Sequence, residues 1–241
     1  MRQLYMIGCG MVLLAGCGSE MTAPRILSLR LVPPSFVPDI FTAGVAATPP
    51  TAASRLSAGQ AVVGKPVVVA LQVVDQNNTP VRGIAVSWRA LPGAGSSDSA
   101  TSVSDTGGVV RVNWTLDTIA KLDSLRASLA PDNGVIVTAS GVHAAPVAAM
   151  KVSGDAQTVL LGSTTSPLVL RVTDRFGNAV GNAFIAWSMI AGDGTLSQIT
   201  THTDETGTSQ VTVVVGATPG QGRVLATFGT LPAVTFTFKA Q

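Results

Sequence analysis

The 241-residue chain has little charge, few aromatic side chains and almost no cysteine or histidine. Charged residues make up 12% of it and aromatic residues 5%, with 2 cysteines and 2 histidines. A formal net charge of +2 is too small to create the electrostatic field that binding to nucleic acid requires. Hydrophobic residues nevertheless reach 46%, so the chain can bury enough surface to offset the entropy of folding, and extensive disorder is not expected.

Val, Ala, Thr, Ser and Gly are plentiful, while the chain lacks the richness in Glu and Lys that is typical of helical proteins. This composition favours short strands joined by tight turns over helices. The length allows one or two domains, each with a core large enough to fold without disulfides. The composition therefore predicts an all-β protein.

The N-terminal residues 1–16 have the features of a signal peptide. Arg2 precedes the uncharged apolar stretch Leu4–Ala15, which has the length of a signal-peptide core and is too short to span a bilayer. It ends in Leu14-Ala15-Gly16-Cys17, which resembles the lipobox of bacterial lipoproteins. The resemblance implies cleavage before Cys17 and attachment of a lipid to this cysteine. An ordinary secretory signal with an incidental cysteine is the alternative.

Lipid attachment would leave no cysteine for other chemistry, because Cys9 lies in the removed segment and Cys17 carries the lipid. Disulfides, thiolate metal sites and cysteine nucleophiles are then excluded from the mature chain. In the lipoproteins that the N-terminus resembles, an Asp after the modified cysteine favours retention at the inner membrane. Gly18 occupies that position here, so the resemblance implies an outer-membrane lipoprotein that faces the periplasm or the cell surface.

The segment 17–54 is predicted to be a tether, because six of the 14 prolines lie between residues 18 and 54. Proline at this density prevents regular helix and central strands. Two apolar patches, 26–32 and 36–41, are unusual for a free tether. They predict either an edge strand or packing on the first domain.

Residues beyond 54 contain an internal repeat with an offset of 99 residues. The matched positions include Leu71 with Leu170, Asp75 with Asp174, Trp88 with Trp187, Asp105 with Asp204, Gly108 with Gly207 and Val135 with Val234. The offset differs only in the first strand, where Ser57 is paired with Ser153 and Gly64 with Gly162. The repeat predicts two copies of one domain.

Hydrophobic residues alternate with polar or small residues within each copy, which is the period of a strand with one buried face. Adding a first strand and a weak one near Thr101 gives about seven strands in about 90 residues, as in an immunoglobulin-like sandwich. The predicted domains are residues 55–142 and 148–241. The short connection 143–147, with Pro146, is expected to restrict bending between them.

Specific motifs of the second copy are similar to the group 1 bacterial immunoglobulin-like domain of invasin and intimin adhesins. They are Val172–Val180, Trp187, Gly192–Ser197 and Thr203–Gly207. The similarity covers most of 151–241 and, more weakly, 55–142, where Asn77-Asn78 replaces the usual Gly-Asn. It implies tandem sandwiches that act as spacers or adhesion modules.

The residues that could carry chemistry have structural interpretations. His143 and His202 do not recur between the copies and provide too few ligands for zinc. Four aspartates, Asp75, Asp105, Asp174 and Asp204, stand beside Gly or Asn and are predicted to cap turns rather than to bind calcium. Trp88, Trp114 and Trp187 share faces with core residues, so burial is predicted for them instead of sugar stacking.

These observations predict a non-catalytic, lipid-anchored cell-envelope protein that displays two immunoglobulin-like domains for adhesion or protein contact. The alternative is a carbohydrate-binding accessory module. We expect no catalytic residue, cofactor, metal or nucleic-acid partner. The expected partners are the membrane, through a lipid on Cys17, and an unidentified protein or surface glycan.

Overall fold

A computed structural model of the chain describes residues 28–31, 55–130 and 133–241. Its strands are β1 (Ser28–Leu31), β2 (Arg55–Val62), β3 (Pro66–Val74), β4 (Ala85–Ala90), β5 (Ser96–Ser97), β6 (Thr101–Val103), β7 (Val109–Thr115), β8 (Leu122–Ala130), β9 (Asn133–Val142), β10 (Pro146–Ser153), β11 (Gln157–Val159), β12 (Leu168–Asp174), β13 (Phe184–Ala191), β14 (Gly194–Leu196), β15 (Thr200–His202), β16 (Thr208–Val211), β17 (Val213–Val215), β18 (Gly220–Thr227) and β19 (Val234–Ala240). Within these ranges there is no helix long and apolar enough to cross a membrane.

The strands form two sandwiches in succession, which confirms the all-β tandem fold. The first packs the sheet β1-β3-β7-β5 against β2-β9-β8-β4-β6. The second packs β10-β12-β16, with the pair β14-β17, against β11-β19-β18-β13-β15. Neighbouring strands are antiparallel except β2 with β9 and β11 with β19. Each sandwich has its own hydrophobic core, because the alternating side chains of both sheets point inward.

The three tryptophans lie in these cores, as predicted, and each is at most 4% exposed. A buried indole N–H needs an acceptor, and each of the three has one. Trp88 donates to the Ser102 hydroxyl (2.7 Å), Trp187 to the Thr201 hydroxyl (2.8 Å) and Trp114 to the Ala94 carbonyl (2.7 Å). The tryptophans are therefore unavailable as a surface for stacking sugars.

The short segment Ser28–Leu31 lies within the predicted tether but is a strand of the first sandwich. It pairs antiparallel with β3 and places Leu29 in the first core. Arg30 Nε donates to Gln72 Oε1 on β3 at 2.8 Å. The segment is strand rather than tether because it buries an apolar side chain and completes the hydrogen bonding of a sheet edge. The apolar patch 36–41 lies outside the described residues.

The first strand of each copy is split into two halves that pair with different sheets. β10 is antiparallel to β12 as β1 is to β3, and β11 is parallel to β19 as β2 is to β9. The predicted match of Ser57 with Ser153 is wrong, because Ser153 belongs to β10, whose counterpart is β1. Residues 32–54 connect the two halves in the first copy, whereas only 154–156 do so in the second.

Candidate functional site at the junction of the two sandwiches

The four repeated aspartates cap turns, as predicted, and all do so in the same way. In each, Oδ1 accepts hydrogen bonds from the backbone N–H groups two and four residues later, at 2.9–3.0 Å. This satisfies N–H groups that a turn leaves unpaired. The described residues contain no group of three or more His, Cys, Asp or Glu side chains placed to hold a metal.

One of these turns, Asp174–Asn178 between β12 and β13, joins the second sandwich to the first. Asn178 Oδ1 accepts from the backbone N–H of Ala120 at 2.9 Å. Its amide Nδ2 donates to the carbonyl of Thr118 at 2.7 Å. The Asn178 side chain thus forms hydrogen bonds with one backbone N–H and one backbone carbonyl of the loop between β7 and β8.

Asp174 holds the connection between the sandwiches with its second oxygen. Oδ2 accepts from the N–H of Ala144, in the connection itself, at 2.8 Å and from Asn178 Nδ2 at 3.0 Å. Burial raises the pKa of Asp174, but the hydrogen bonds from the Asn178 side chain and then from Ala144 and two turn amides outweigh it and lower the pKa below 3.8. The carboxylate therefore stays ionised and organises both the turn and the connection.

An aromatic ring completes the junction. A Cβ atom built on Gly64 would lie 2.9 Å from Cζ of Phe176, so the ring tip fits against a position where only glycine leaves room. The guanidinium of Arg175 lies 4.4 Å from the centre of the same ring. The turn therefore contributes an apolar contact as well as its polar ones.

The loop that receives Asn178 is organised by charge. Lys121 Nζ pairs with Asp117 and lies 3.3 Å from Oδ1 of Asp123, which is fully buried. Asp123 Oδ2 accepts from the N–H of Asp117 at 2.8 Å. The hydrogen bond from Lys121 lowers the pKa of Asp117, and the same bond raises the pKa of Lys121. This Asp-Lys-Asp set fixes the backbone that Asn178 recognises.

His143 lies in the connection between the sandwiches and His202 in a strand, as predicted, but the sequence did not reveal the junction. His143 lines a shallow depression of about 420 Å³ beside it, together with Asn182, Asp204 and Glu205. His202 stacks edge-on against the exposed Phe184, with ring centres 5.5 Å apart. Thr203, which also lines the depression, donates its hydroxyl proton to the Val180 carbonyl at 2.6 Å. Cys17 lies outside the described residues.

The sequence analysis missed the junction residues because it considered only the positions at which the two copies match. The positions at which the copies differ could have indicated the junction. Phe176 and Asn178 occupy the positions of Asn77 and Thr79, and the first copy carries Asp117, Lys121 and Asp123 where the second has glycines. Side chains that differ at equivalent positions mark the surfaces that only one copy uses.

No known protein family and no curated protein matches the chain. Solved structures do. FdeC, an Escherichia coli adhesin, is 19% identical and matches with a TM-score of 0.56 over 74% of this chain and 59% of that one. Yersinia pseudotuberculosis InvD is 17% identical, with a TM-score of 0.55 over 76% of this chain and 55% of that one. The chain thus has the fold of tandem bacterial immunoglobulin-like domains and spans just over half the length of these two structures.

Proposed function

We propose that this chain is a non-catalytic cell-envelope protein that displays its two sandwiches as one unit for adhesion or other protein contact. The observation that carries the proposal is the junction. A flexible string of domains would not need a turn whose aromatic ring and amide bind the preceding domain and whose aspartate holds the connection. Such a turn restricts bending, which suits a part that must hold a contact surface at a set distance.

The fold likeness supports this proposal, since FdeC is an adhesin, and the burial of all three tryptophans disfavours the carbohydrate-binding alternative. Sugar-binding sandwiches need exposed aromatic faces. Among the described residues, Phe184, which is 53% exposed and stacks on His202, is the most exposed aromatic side chain on which a glycan could stack.

We also propose that Cys17 carries a lipid that holds the protein at the outer membrane. The support is its position directly after an apolar stretch and two small residues. The nearly neutral chain has little electrostatic attraction for anionic lipids, so a covalent lipid would have to supply the attachment.

The anchoring test compares Cys17→Ser with the matched control Cys9→Ser. We expect Cys17→Ser to abolish incorporation of labelled fatty acid and to release the protein from membranes, while Cys9→Ser changes neither. Unchanged membrane retention of Cys17→Ser would contradict the anchor.

The contact test uses the soluble Cys17→Ser chain against envelope proteins and a glycan array. We expect saturable binding to a protein component and none to glycans. Saturable glycan binding that Phe184→Ala removes would replace protein contact with the carbohydrate function.

A further inference from the structure

The end of each sandwich carries the same four-residue turn, which we call the end turn: Val62–Lys65 in the first copy and Leu160–Ser163 in the second. Its fourth N–H donates to its first carbonyl in both, at 3.2 and 3.0 Å. The third residue has a positive φ, 65° at Gly64 and 74° at Gly162. The Gly64 N–H donates to the Asp117 carbonyl at 3.1 Å, and the Gly162 N–H to the carbonyls of Val215 at 3.1 Å and Gly216 at 3.4 Å. The two end turns are therefore structurally equivalent.

Their surroundings differ. At the first end turn Val62 is 39% exposed, but Val63 is 0% exposed and Phe176 of the second sandwich fits against Gly64. At the second end turn a Cβ on Gly162 would meet no atom within 4 Å. Leu161, the counterpart of Val63, is 37% exposed, and Leu160 is 67% exposed. An apolar site that is filled in one copy is thus open in the other.

We propose that the second end turn, Leu160–Gly162, is a docking site for an aromatic side chain presented on a turn of a partner protein. The proposal rests on the proposed function of protein contact and names the surface that makes it. The argument is internal to the molecule, because the equivalent surface of the first copy binds such a side chain, Phe176. Two exposed leucines beside an open glycine provide a small apolar surface for a ring.

The open site does not reproduce the polar half of the junction. Pro219 stands at the position of Ala120 and has no N–H to offer to an asparagine amide. Glycines at 216, 220 and 222 replace the charged residues that organise the loop in the first copy. The recognised group is therefore an apolar aromatic ring rather than an amide.

A second copy of this chain is not the favoured occupant. The turn of the first sandwich that corresponds to Asp174–Asn178 carries Asn77 where Phe176 would be needed. Copies that approached head to tail would place a polar, strongly hydrated amide against the two leucines. The favoured source of the aromatic side chain is therefore a turn of a partner protein.

The test titrates the isotope-labelled Cys17→Ser chain with a backbone-cyclised peptide that contains Asp-Arg-Phe-Gly-Asn, followed by nuclear magnetic resonance. We expect saturable shifts of the Gly162 amide and of the Leu160 and Leu161 methyl groups. The filled site at Gly64 should not shift. A peptide with alanine in place of phenylalanine is the matched probe and should cause no saturable shift.

Gly162→Asn is the matched protein variant, because asparagine tolerates a positive φ and its side chain would occupy the open space. It should remove the saturable shifts. Equal shifts with the alanine peptide, or none with either peptide at millimolar concentration, would overturn the proposal. Shifts of Leu160 and Leu161 that depend on protein concentration alone would identify a second copy as the occupant and overturn it as well. Failure here leaves the anchoring and envelope-binding results intact, so the two proposals are tested separately.

Discussion

The loops at 117–123 and 216–222 make the same connection in the two sandwiches but are stabilised in different ways. The first is held by Asp117, Lys121 and Asp123, whereas the second has glycine at all three positions. The charged loop is the one that binds the neighbouring sandwich. The comparison shows that a repeated fold can keep its backbone while only one copy acquires the side chains for a junction.

Each loop is compatible with its own core. Asp123 lies opposite Ala139 across the strand pair, and Gly222 lies opposite Phe238. A Cβ on Gly222 would be 2.0 Å from the Phe238 ring, so a larger residue there needs a smaller partner. The first copy thus pairs the larger Asp123 with the small Ala139, and the second pairs Gly222 with the large Phe238. An aspartate at position 222 would not fit beside Phe238.

A second exchange lies behind the loops. In the first copy the Trp114 indole donates to the Ala94 carbonyl, whereas the second has Val213 and Asp193 at these positions. Asp193 Oδ2 accepts from the N–H of Thr218 at 3.1 Å and so closes the second loop. The first loop relies on its own charges and the second on an aspartate from a neighbouring turn.

The largest expected effect comes from removing the buried Trp114 indole, which donates to the Ala94 carbonyl in the first copy. Trp114→Ala should destabilise the first sandwich by about 3–5 kcal/mol, because it leaves a large cavity and an unpaired carbonyl at Ala94. The matched change Val213→Ala should cost the second sandwich about 2 kcal/mol. Calorimetric unfolding with each transition assigned to its sandwich measures both. Equal losses would mean that the two cores are not differentiated as described.

A smaller effect is expected at the junction. Asn178→Ala removes two hydrogen bonds between the sandwiches, each worth about 0.5–1.5 kcal/mol. We expect faster hydrogen exchange at the Ala120 amide and greater separation of the two unfolding transitions. Thr79→Ala, at the equivalent position of the first copy, should change neither. Unaltered exchange at Ala120 in Asn178→Ala would contradict the role of the amide.

The smallest effect concerns pH at the equivalent aspartates Asp105 and Asp204. The Thr206 hydroxyl, followed by the Thr208 amide and hydroxyl, lowers the pKa of Asp204 from 3.8 to about 2, while Asp105 has Gly107 and Val109 at these positions. A lowered pKa stabilises the fold above the unfolded value and loses that contribution as the pH falls through about 2. Thr208→Val should raise the pKa of Asp204 in a carboxyl-carbon titration. No change would mean that the hydroxyl does not act on the carboxylate.

Much of the fold was predictable because its signals are local. Alternating hydrophobic residues and Asp-containing turns depend on neighbours within a few positions, and they located the strands, the buried Trp88 and the four caps correctly. β1 was not predicted as a definite strand, since four residues in a proline-rich segment carry a weak pattern and pair with β3 across a long connection. The junction was missed for a similar reason, because the contact between Asn178 and Ala120 spans 58 residues.

The split first strand determines how the molecule would carry a pulling force. If the chain is held at Cys17 as proposed, only residues 18–27 separate the anchor from Ser28, which is already paired in a sheet. Ten residues can span at most about 36 Å. Tension between the anchor and the tip would load the pairing of β1 with β3 first, and once β1 detaches it would load β2 against β9. β2 and β9 are parallel, with six registered residue pairs. Under that load the hydrogen bonds of this pair would be sheared together rather than opened one after another, so the pair would resist the pull.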